Sequence, residues 1–267
     1  MCELFGMSSR LPTNVRLSLS QLLPRGGETG PHRDGWGVAF AQGNEFLILK
    51  EACAAASSEW IDFLENHEIR SQLVIAHIRL ATHPKRLALA NTHPFERAAW
   101  GRPLVFAHNG KAPQLLDRER YPLRRFHPLG ETDSEAAFCF LLERLVDRIG
   151  LEPSRYRVGA LVEVLREHSP LLLGEENRFN VLLSDGEYLI AHGGHQLHVA
   201  TRHCCCDGMK LDASLMTPSL RQSEEQDVAV IATKPLTDDE RWTPLKPGEI
   251  AVFRLGLRLP LDSLGQR

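Results

Sequence analysis

The stretch MCELFGM, residues 1–7, puts a cysteine directly after Met1. Because Cys2 is small, we expect Met1 to be removed during maturation, which would leave Cys2 with a free α-amino group. Such an amine has a pKa of about 7.7–8.0, whereas a thiol of pKa about 8.5 needs a base to become a nucleophile. Cys2 would then carry a nucleophile and its base in one residue. The other interpretation is that Cys2 is a small buried apolar residue in a first strand.

The bulk composition indicates a globular chain without a nucleic-acid surface. Its 267 residues are 43% hydrophobic and 24% charged, with net charge −3, and contain no dense block of lysine or arginine. No apolar run approaches the roughly 20 residues that span a bilayer, and the first residues do not resemble a signal peptide. We therefore expect one domain over 1–267, a cytoplasmic location and six reduced cysteines.

No motif predicts a cofactor or a metal. The chain has neither a G-x-G-x-x-G fingerprint nor a P-loop. The segment RHCCCDG, residues 202–208, holds three consecutive cysteines, but tetrahedral zinc sites usually draw ligand pairs from Cys-x2–4-Cys spacing. We interpret this segment as a loop or strand with chance cysteines.

Short apolar runs bounded by Gly, Pro, Asn or Asp predict many strands. The runs cover residues 35–41, 45–51, 73–79, 103–109, 178–184, 187–193, 227–233 and 249–255. Asp185-Gly186, between two of these runs, indicates a hairpin.

Helical patterns are fewer than strand patterns. The strongest follows GETDSE, where Thr132 and Glu135 form a capping box and Gly150 supplies the stop. Further helices are expected over about 154–168, 14–22 and 58–66. Strands in hairpin order around two central helices predict an α+β fold with layered sheets rather than a βαβ repeat.

One strand end carries groups suited to amide cleavage. The segment LVFAHNGKAP ends its apolar run at Asn109 and Gly110. The Asn109 side-chain amide and the Gly110 backbone N–H could stabilise a developing oxyanion, since glycine allows close approach of a substrate. The alternative is an ordinary Asn-Gly turn.

Other polar side chains could bind the ends of an amino acid. Arg79, Thr82 and His83 end a second apolar run, and the planar Arg79 guanidinium suits a carboxylate. Asp133 could pair with an ammonium group, although a carboxylate is favourable in the first turn of any helix. Taken together with Cys2, these residues describe a site for an amino acid with a side-chain amide, and glutamine fits that description.

At this point the sequence resembles the class II glutamine amidotransferases, and most closely their stand-alone YafJ-like members. Six separated elements carry the resemblance, in the order of the family: Cys2, RGG…HRDGWGVAF (25–40), HIRLATHP (77–84), NTHPF (91–95), AHNG (107–110) and GETDSE (130–135). The resemblance implies a four-layer αββα N-terminal-nucleophile hydrolase fold with two stacked, mainly antiparallel sheets.

The resemblance also implies a catalytic role for three residues. Cys2 would form a γ-glutamyl thioester with its α-amino group as general base, and Asn109 and Gly110 would form the oxyanion hole. The implied reaction is hydrolysis of a γ-glutamyl amide, with glutamine giving glutamate and ammonia. A separate ammonia-accepting synthase subunit would be the partner. The alternatives are a γ-glutamyl hydrolase acting on a peptide or thiol compound, and a non-catalytic binding protein that keeps the fold.

Substrate-binding and architectural roles are implied as well. Arg79, with Thr82 and His83, would bind the glutamine α-carboxylate, and Asp133 would bind the α-ammonium. The residues expected to shape the backbone near the site are Asn91, His93, Pro94, Asp34, Gly35 and Trp36.

Overall fold

Two antiparallel sheets lie face to face, and helices cover the outer face of each sheet. The structure, a computed structural model, describes residues 2–81, 87–175, 178–204, 225–238 and 241–266. The four layers confirm the α+β class that the strand and helix patterns predict and the αββα arrangement that the family resemblance implies.

Blocks of consecutive strands, rather than single strands, pass from one sheet to the other along the chain. They are β1 (Glu3–Asn14), β2 (Trp36–Gln42), β3 (Glu45–Glu51), β4 (Arg70–Ile78), β5 (Phe95–Ala99), β6 (Arg102–Gly110), β7 (Phe179–Ser184), β8 (Leu189–His192), β9 (His198–Cys204), β10 (Gln226–Ala232), β11 (Thr243–Pro244), β12 (Ile250–Arg254) and β13 (Leu257–Leu259). The first sheet has the order β11-β9-β10-β1-β4-β2-β3, and the second has the order β13-β12-β8-β7-β6-β5. Strand β1 therefore lies inside the first sheet, between β10 and β4.

In the described part of the chain, four α-helices form the outer layers: α1 (Arg16–Leu22), α2 (Glu59–Asn66), α3 (Asp133–Ile149) and α4 (Val158–Leu173). The start of α3 is as predicted, because the Thr132 side chain accepts a hydrogen bond from the Glu135 N–H at 3.2 Å. The Glu135 carboxylate, however, accepts the N–H groups of Leu129 and Gly130. Only half of the expected capping box is formed, because Glu135 holds the preceding loop instead.

The predicted boundaries of α4 were wrong at both ends. The helix begins at Val158 rather than 154, because Pro153–Arg155 forms a separate 3-10 turn. It also continues through Pro170 to Leu173, since buried Leu172 still packs in the core against the second sheet. Strand β1 and the short strands β5, β11 and β13 lie outside the predicted apolar runs. Strand β9 includes the start of the cysteine segment up to Cys204, the last described residue before the gap.

The layer between the sheets is apolar along most of its length and polar at one end. Leu4, Ile75 and Ala107 belong to the same buried cluster between the two sheets. Side chains alternate along a strand, so residues an even number of positions apart share a face. Cys2 lies two positions before Leu4, Arg79 four positions after Ile75, and Asn109 two positions after Ala107. The strand pattern therefore directs all three candidate side chains into the inter-sheet layer.

Buried histidines line this polar end. The rings of His77 and His93 lie 4.2 Å apart between centroids, and His93 also packs on Phe95 at 4.4 Å. Gly37 lets the His93 backbone approach β2 closely, since a Cβ at Gly37 would lie 2.2 Å from the His93 carbonyl oxygen. Burial lowers the pKa of His77 to about 3 and the pKa of His108 to about 4, and lowers that of His93 well below its usual value.

These histidines make stability depend on pH. The unfolded chain binds their protons near pH 6.5, whereas the folded chain binds them only at lower pH, so stability falls as pH drops through this window. We expect each imidazole to remove up to about 1.4 kcal/mol of unfolding free energy per pH unit below about pH 6.5. Urea unfolding at pH 7.5 and pH 5.0 measures the effect.

A matched pair of variants separates buried from exposed histidines. Replacing exposed His67 by Gln should preserve the whole loss of stability between pH 7.5 and pH 5.0. Replacing buried His77 by Asn removes one imidazole that gains a proton on unfolding. The loss of unfolding free energy between the two pH values should therefore be smaller in this variant, whatever its stability at pH 7.5. Equal unfolding free energies of the parent protein at the two pH values would contradict the account, because most carboxylates titrate below this window.

Candidate active site

Cys2 lies just before β1, with its thiol against the end of β4. The Leu80 N–H lies 3.3 Å from the Cys2 Sγ and points at it, and the Leu80 carbonyl oxygen is 3.5 Å from the same sulfur. Burial raises the pKa of the Cys2 thiol, while the Leu80 N–H and the charge of Arg79 act in the opposite direction. A thiol in this environment is protonated at neutral pH, so nucleophilic attack needs a base close to the sulfur.

Arg79 is 7% exposed and is held by the turn that precedes β2. Its backbone N–H donates to the Gly35 carbonyl at 2.8 Å, and its guanidinium Nη1 donates to the Asp34 carbonyl at 3.1 Å. The Asp34 carboxylate accepts the Ala81 N–H at 2.7 Å. Asp34 and Gly35 therefore have the architectural role expected of them, and they orient the guanidinium beside Cys2.

Asn109 is 1% exposed, yet neither its side-chain oxygen nor its nitrogen finds a hydrogen-bond partner among the described residues. Its backbone carbonyl accepts the Asn180 side-chain N–H at 3.1 Å, which fixes this end of β6. A buried amide left unpaired costs roughly 1–3 kcal/mol. Within the described residues, the Asn109 amide shares this state with ring nitrogens of His77, His93 and His108, and a bound ligand at the strand end would explain it.

Gly110 approaches the neighbouring strand too closely for any side chain. A Cβ at Gly110 would lie 1.6 Å from the Arg178 carbonyl oxygen. That oxygen accepts the Lys111 N–H at 3.0 Å, so the next pair along the ladder, Gly110 with Phe179, is of the non-hydrogen-bonded type. The Gly110 N–H consequently points away from β7. On that side of β6, the ladder with β5 ends at Phe106, so within the described residues β5 does not pair with Gly110.

Asp133 begins α3 and is tied to the chain that follows β6. Its Oδ2 accepts the Ala112 N–H at 2.7 Å. One residue later, the Ser134 hydroxyl lies 2.9 Å from Nδ1 of His108, the residue before Asn109. Neither Ser134 nor His108 is among the site residues predicted from the sequence, although they lie within the GETDSE and AHNG elements. These two contacts hold the oxyanion candidates and Asp133 in a fixed relation.

Asn91 holds the loop that leads to Asp133, since its side-chain oxygen accepts the Glu131 N–H at 2.8 Å. The Lys50 ammonium donates to the carbonyls of Thr92 and Pro94 at 3.0 and 3.1 Å. The expected architectural role of the NTHPF element therefore agrees with these contacts, and Lys50 is a supporting residue that the sequence did not reveal.

Several sequence predictions lie outside the described residues. Thr82 and His83 fall in the gap at 82–86, and Cys205 and Cys206 fall in the gap at 205–224. In the described ranges, no group of three or more His, Cys, Asp or Glu side chains is arranged to hold a metal ion. None of the described helices is both long and apolar enough to cross a membrane.

Comparison with known proteins shows the family. The family model described as "Glutamine amidotransferases class-II" matches residues 1–264. YafJ of Escherichia coli K12, named as a candidate glutamine amidotransferase, is 40% identical over 263 residues, which are 97% of this chain and 100% of YafJ.

Solved structures agree with this assignment. A predicted glutamine amidotransferase of Pseudomonas aeruginosa PA01 has a TM-score of 0.67 and 34% identity, with 97% of this chain and 100% of that chain covered. Glutamine phosphoribosylpyrophosphate amidotransferase of B. subtilis has a TM-score of 0.59 at 18% identity, covers 95% of this chain and 47% of its own, and shares the fold. The chain belongs to the class II glutamine amidotransferase family.

Proposed function

We propose that the protein hydrolyses a γ-glutamyl amide, with glutamine as the substrate, through a thioester on Cys2. The observation that carries the proposal is the buried and unpaired side-chain amide of Asn109. It stands beside a backbone N–H of Gly110 that points away from β7, on the layer that Cys2 also faces. Two donors near a nucleophile are what an amide-cleaving site needs to stabilise an oxyanion.

The proposed first step requires a mature chain that starts at Cys2. The freed α-amino group takes the thiol proton, and the sulfur attacks the amide carbon of the substrate. Asn109 Nδ2 and the Gly110 N–H stabilise the tetrahedral oxyanion. The amine then returns the proton to the leaving nitrogen, so that ammonia departs and a γ-glutamyl thioester remains. Water, activated by the same amine, hydrolyses the thioester to glutamate and restores the thiol.

Charged side chains on both sides of the nucleophile would hold the glutamyl group. Arg79, with Thr82 and His83, binds the α-carboxylate in this proposal, because a guanidinium fork matches two carboxylate oxygens. Asp133 binds the α-ammonium, since Ala112 uses only its Oδ2. All of these residues contact the glutamyl half of the substrate, so they do not choose the leaving group. A separate ammonia-accepting subunit is the partner that this activity would serve.

A substrate panel tests the proposed reaction. Mature protein should release glutamate and ammonia from glutamine and should leave asparagine intact. Cys2→Ala should abolish turnover while leaving the unfolding midpoint unchanged, because the variant loses only the thiol. Cys53→Ala is the matched control and should keep full activity, since the Cys53 thiol lies against Glu51 at the end of β3.

The remaining outcomes of this panel decide among the alternatives. Turnover of γ-glutamyl peptides such as glutathione without turnover of glutamine would replace the proposed substrate. Absence of glutamate release from every γ-glutamyl compound, with intact mass showing a chain that begins at Cys2, would contradict catalysis and support a binding protein that retains the fold.

Asn109→Ala tests the oxyanion hole. Loss of one such donor should lower kcat by about 10²–10³ and leave KM nearly unchanged, because the donor acts on the transition state more than on bound substrate. Steady-state kinetics with glutamine measure both constants. Asn66→Ala, an exposed change on α2, is the control and should match the parent protein. A kcat within about twofold of the parent in Asn109→Ala would refute the proposed role.

Arg79→Lys tests carboxylate capture. A lysine keeps the charge but loses the planar fork, so KM for glutamine should rise by about tenfold or more with a smaller change in kcat. The parent protein should also prefer glutamine strongly over 4-aminobutanamide, which lacks the α-carboxylate, and the variant should lose much of that preference. An unchanged preference in Arg79→Lys would mean that another group binds the carboxylate.

A further inference from the structure

Glu3 is a buried carboxylate directly after Cys2. Its side chain is 3% exposed, and it forms two ion pairs, with Arg25 at 2.8 Å and with Lys234 at 3.0 Å. Burial opposes its charge, but the hydrogen bonds and charges of the two cations outweigh burial and lower the pKa of Glu3. The carboxylate is therefore ionised at neutral pH, and it is shared between two segments distant in sequence.

The two ion pairs of Glu3, with Arg25 and Lys234, form a clamp on the start of β1. Chain ends fray unless they are tied down, and Cys2 precedes the first paired residue of β1. On the β4 side, Glu3 pairs with Ile78. On the β10 side, the ladder begins only at Phe5, and the backbone beyond it is held through contacts of Leu4 with Thr233. The ion pair with Lys234 extends this attachment to the residue that follows Cys2.

Arg25 links the Glu3 carboxylate to the loop that orients the Arg79 guanidinium. The Arg25 guanidinium also donates to the Pro235 carbonyl at 3.1 Å, so it bridges the start of β1 and the segment after β10. The Arg25 carbonyl lies 3.1 Å from Nδ1 of buried His32. The loop through His32 then reaches Asp34, whose carbonyl orients the Arg79 guanidinium. One carboxylate thus joins the nucleophile end to the loop that supports substrate capture.

We propose that Glu3 is a positioning residue for Cys2: its carboxylate, held between Arg25 and Lys234, fixes the first residue of the mature chain so that the thiol and the α-amino group face the substrate amide. Ion pairs with a buried partner seldom stabilise a fold more than apolar residues of similar volume do, so we assign the Glu3 pairs a role in orienting the chain end rather than in overall stability. The kinetic part of this inference rests on the proposed function, whereas the structural part does not.

Glu3→Gln tests the clamp with the least change in shape. The variant loses the charge but keeps the volume, so kcat with glutamine should fall by about tenfold while KM stays within about twofold. The KM is spared because the loop that orients Arg79 contacts Arg25 through the Arg25 backbone carbonyl, which does not need the Glu3 charge, and Arg79 and Asp133 keep their own contacts. Glu143→Gln is the matched control, since Glu143 is 1% exposed and also pairs with an arginine, Arg125. It lies on α3 ten residues beyond Asp133, and its kcat should equal that of the parent.

Lys234→Met provides a second variant that should fold normally, because the Lys234 side chain is 65% exposed. Alone it should lower kcat by about threefold, and added to Glu3→Gln it should cause no further loss, since the two residues act through one contact. A kcat within about twofold of the parent in folded Glu3→Gln would overturn the proposal, as would independent losses in the double variant.

Hydrogen–deuterium exchange keeps the clamp testable apart from activity. Glu3→Gln should speed exchange of the amides at residues 3–6, and Glu143→Gln should not. If mature parent protein cleaves no γ-glutamyl amide, the proposed function fails, while faster exchange in Glu3→Gln still supports the clamp. Unchanged exchange at residues 3–6 would overturn the clamp even if glutamine is hydrolysed.

Discussion

The N-terminal strand is held on both sides, and the candidate site depends on that constraint. Backbone ladders to β10 and β4 fix β1, and the ion pairs of Glu3 also hold the residue that directly follows Cys2. A nucleophile whose own amine is its base can work only at a chain end, where disorder is the usual state. The sheet therefore supplies the rigidity that a chain terminus lacks, and the ordering of Cys2 follows from pairing along the whole strand.

The second constraint is a change of polarity within the inter-sheet layer. Strand alternation that buries Leu4, Ile75 and Ala107 carries Cys2, Arg79 and Asn109 to the same layer. A buried polar group without a hydrogen-bond partner lowers the stability of the fold, and the Asn109 side-chain amide is such a group among the described residues. A donor that stays unpaired until substrate arrives lowers the stability of the fold but is already oriented to stabilise the transition state. This is the arrangement expected of a preorganised oxyanion hole.

Local patterns predicted the elements whose causes are local. The hydroxyl cap of Thr132, the Gly150 stop and the Asp185-Gly186 hairpin all depend on neighbouring residues, and the structure contains each of them. Motif order also pointed to the family and to the strand ends that carry the candidate site. Sequence could not give the boundaries of α4, because packing against the second sheet extends that helix past Pro170. Nor could it pair Glu3 with Lys234, since that contact joins residues 231 positions apart.

The central claim is that Cys2, with its own freed amine, is the nucleophile. The most direct measurement is peptide mass spectrometry after treatment with a glutamine analogue that carries a diazoketone in place of the amide. The account predicts one adduct per chain, on a peptide that begins at Cys2, and protection by excess glutamine. An adduct on Cys53 or Cys139, or equal labelling of chains that retain Met1, would contradict it.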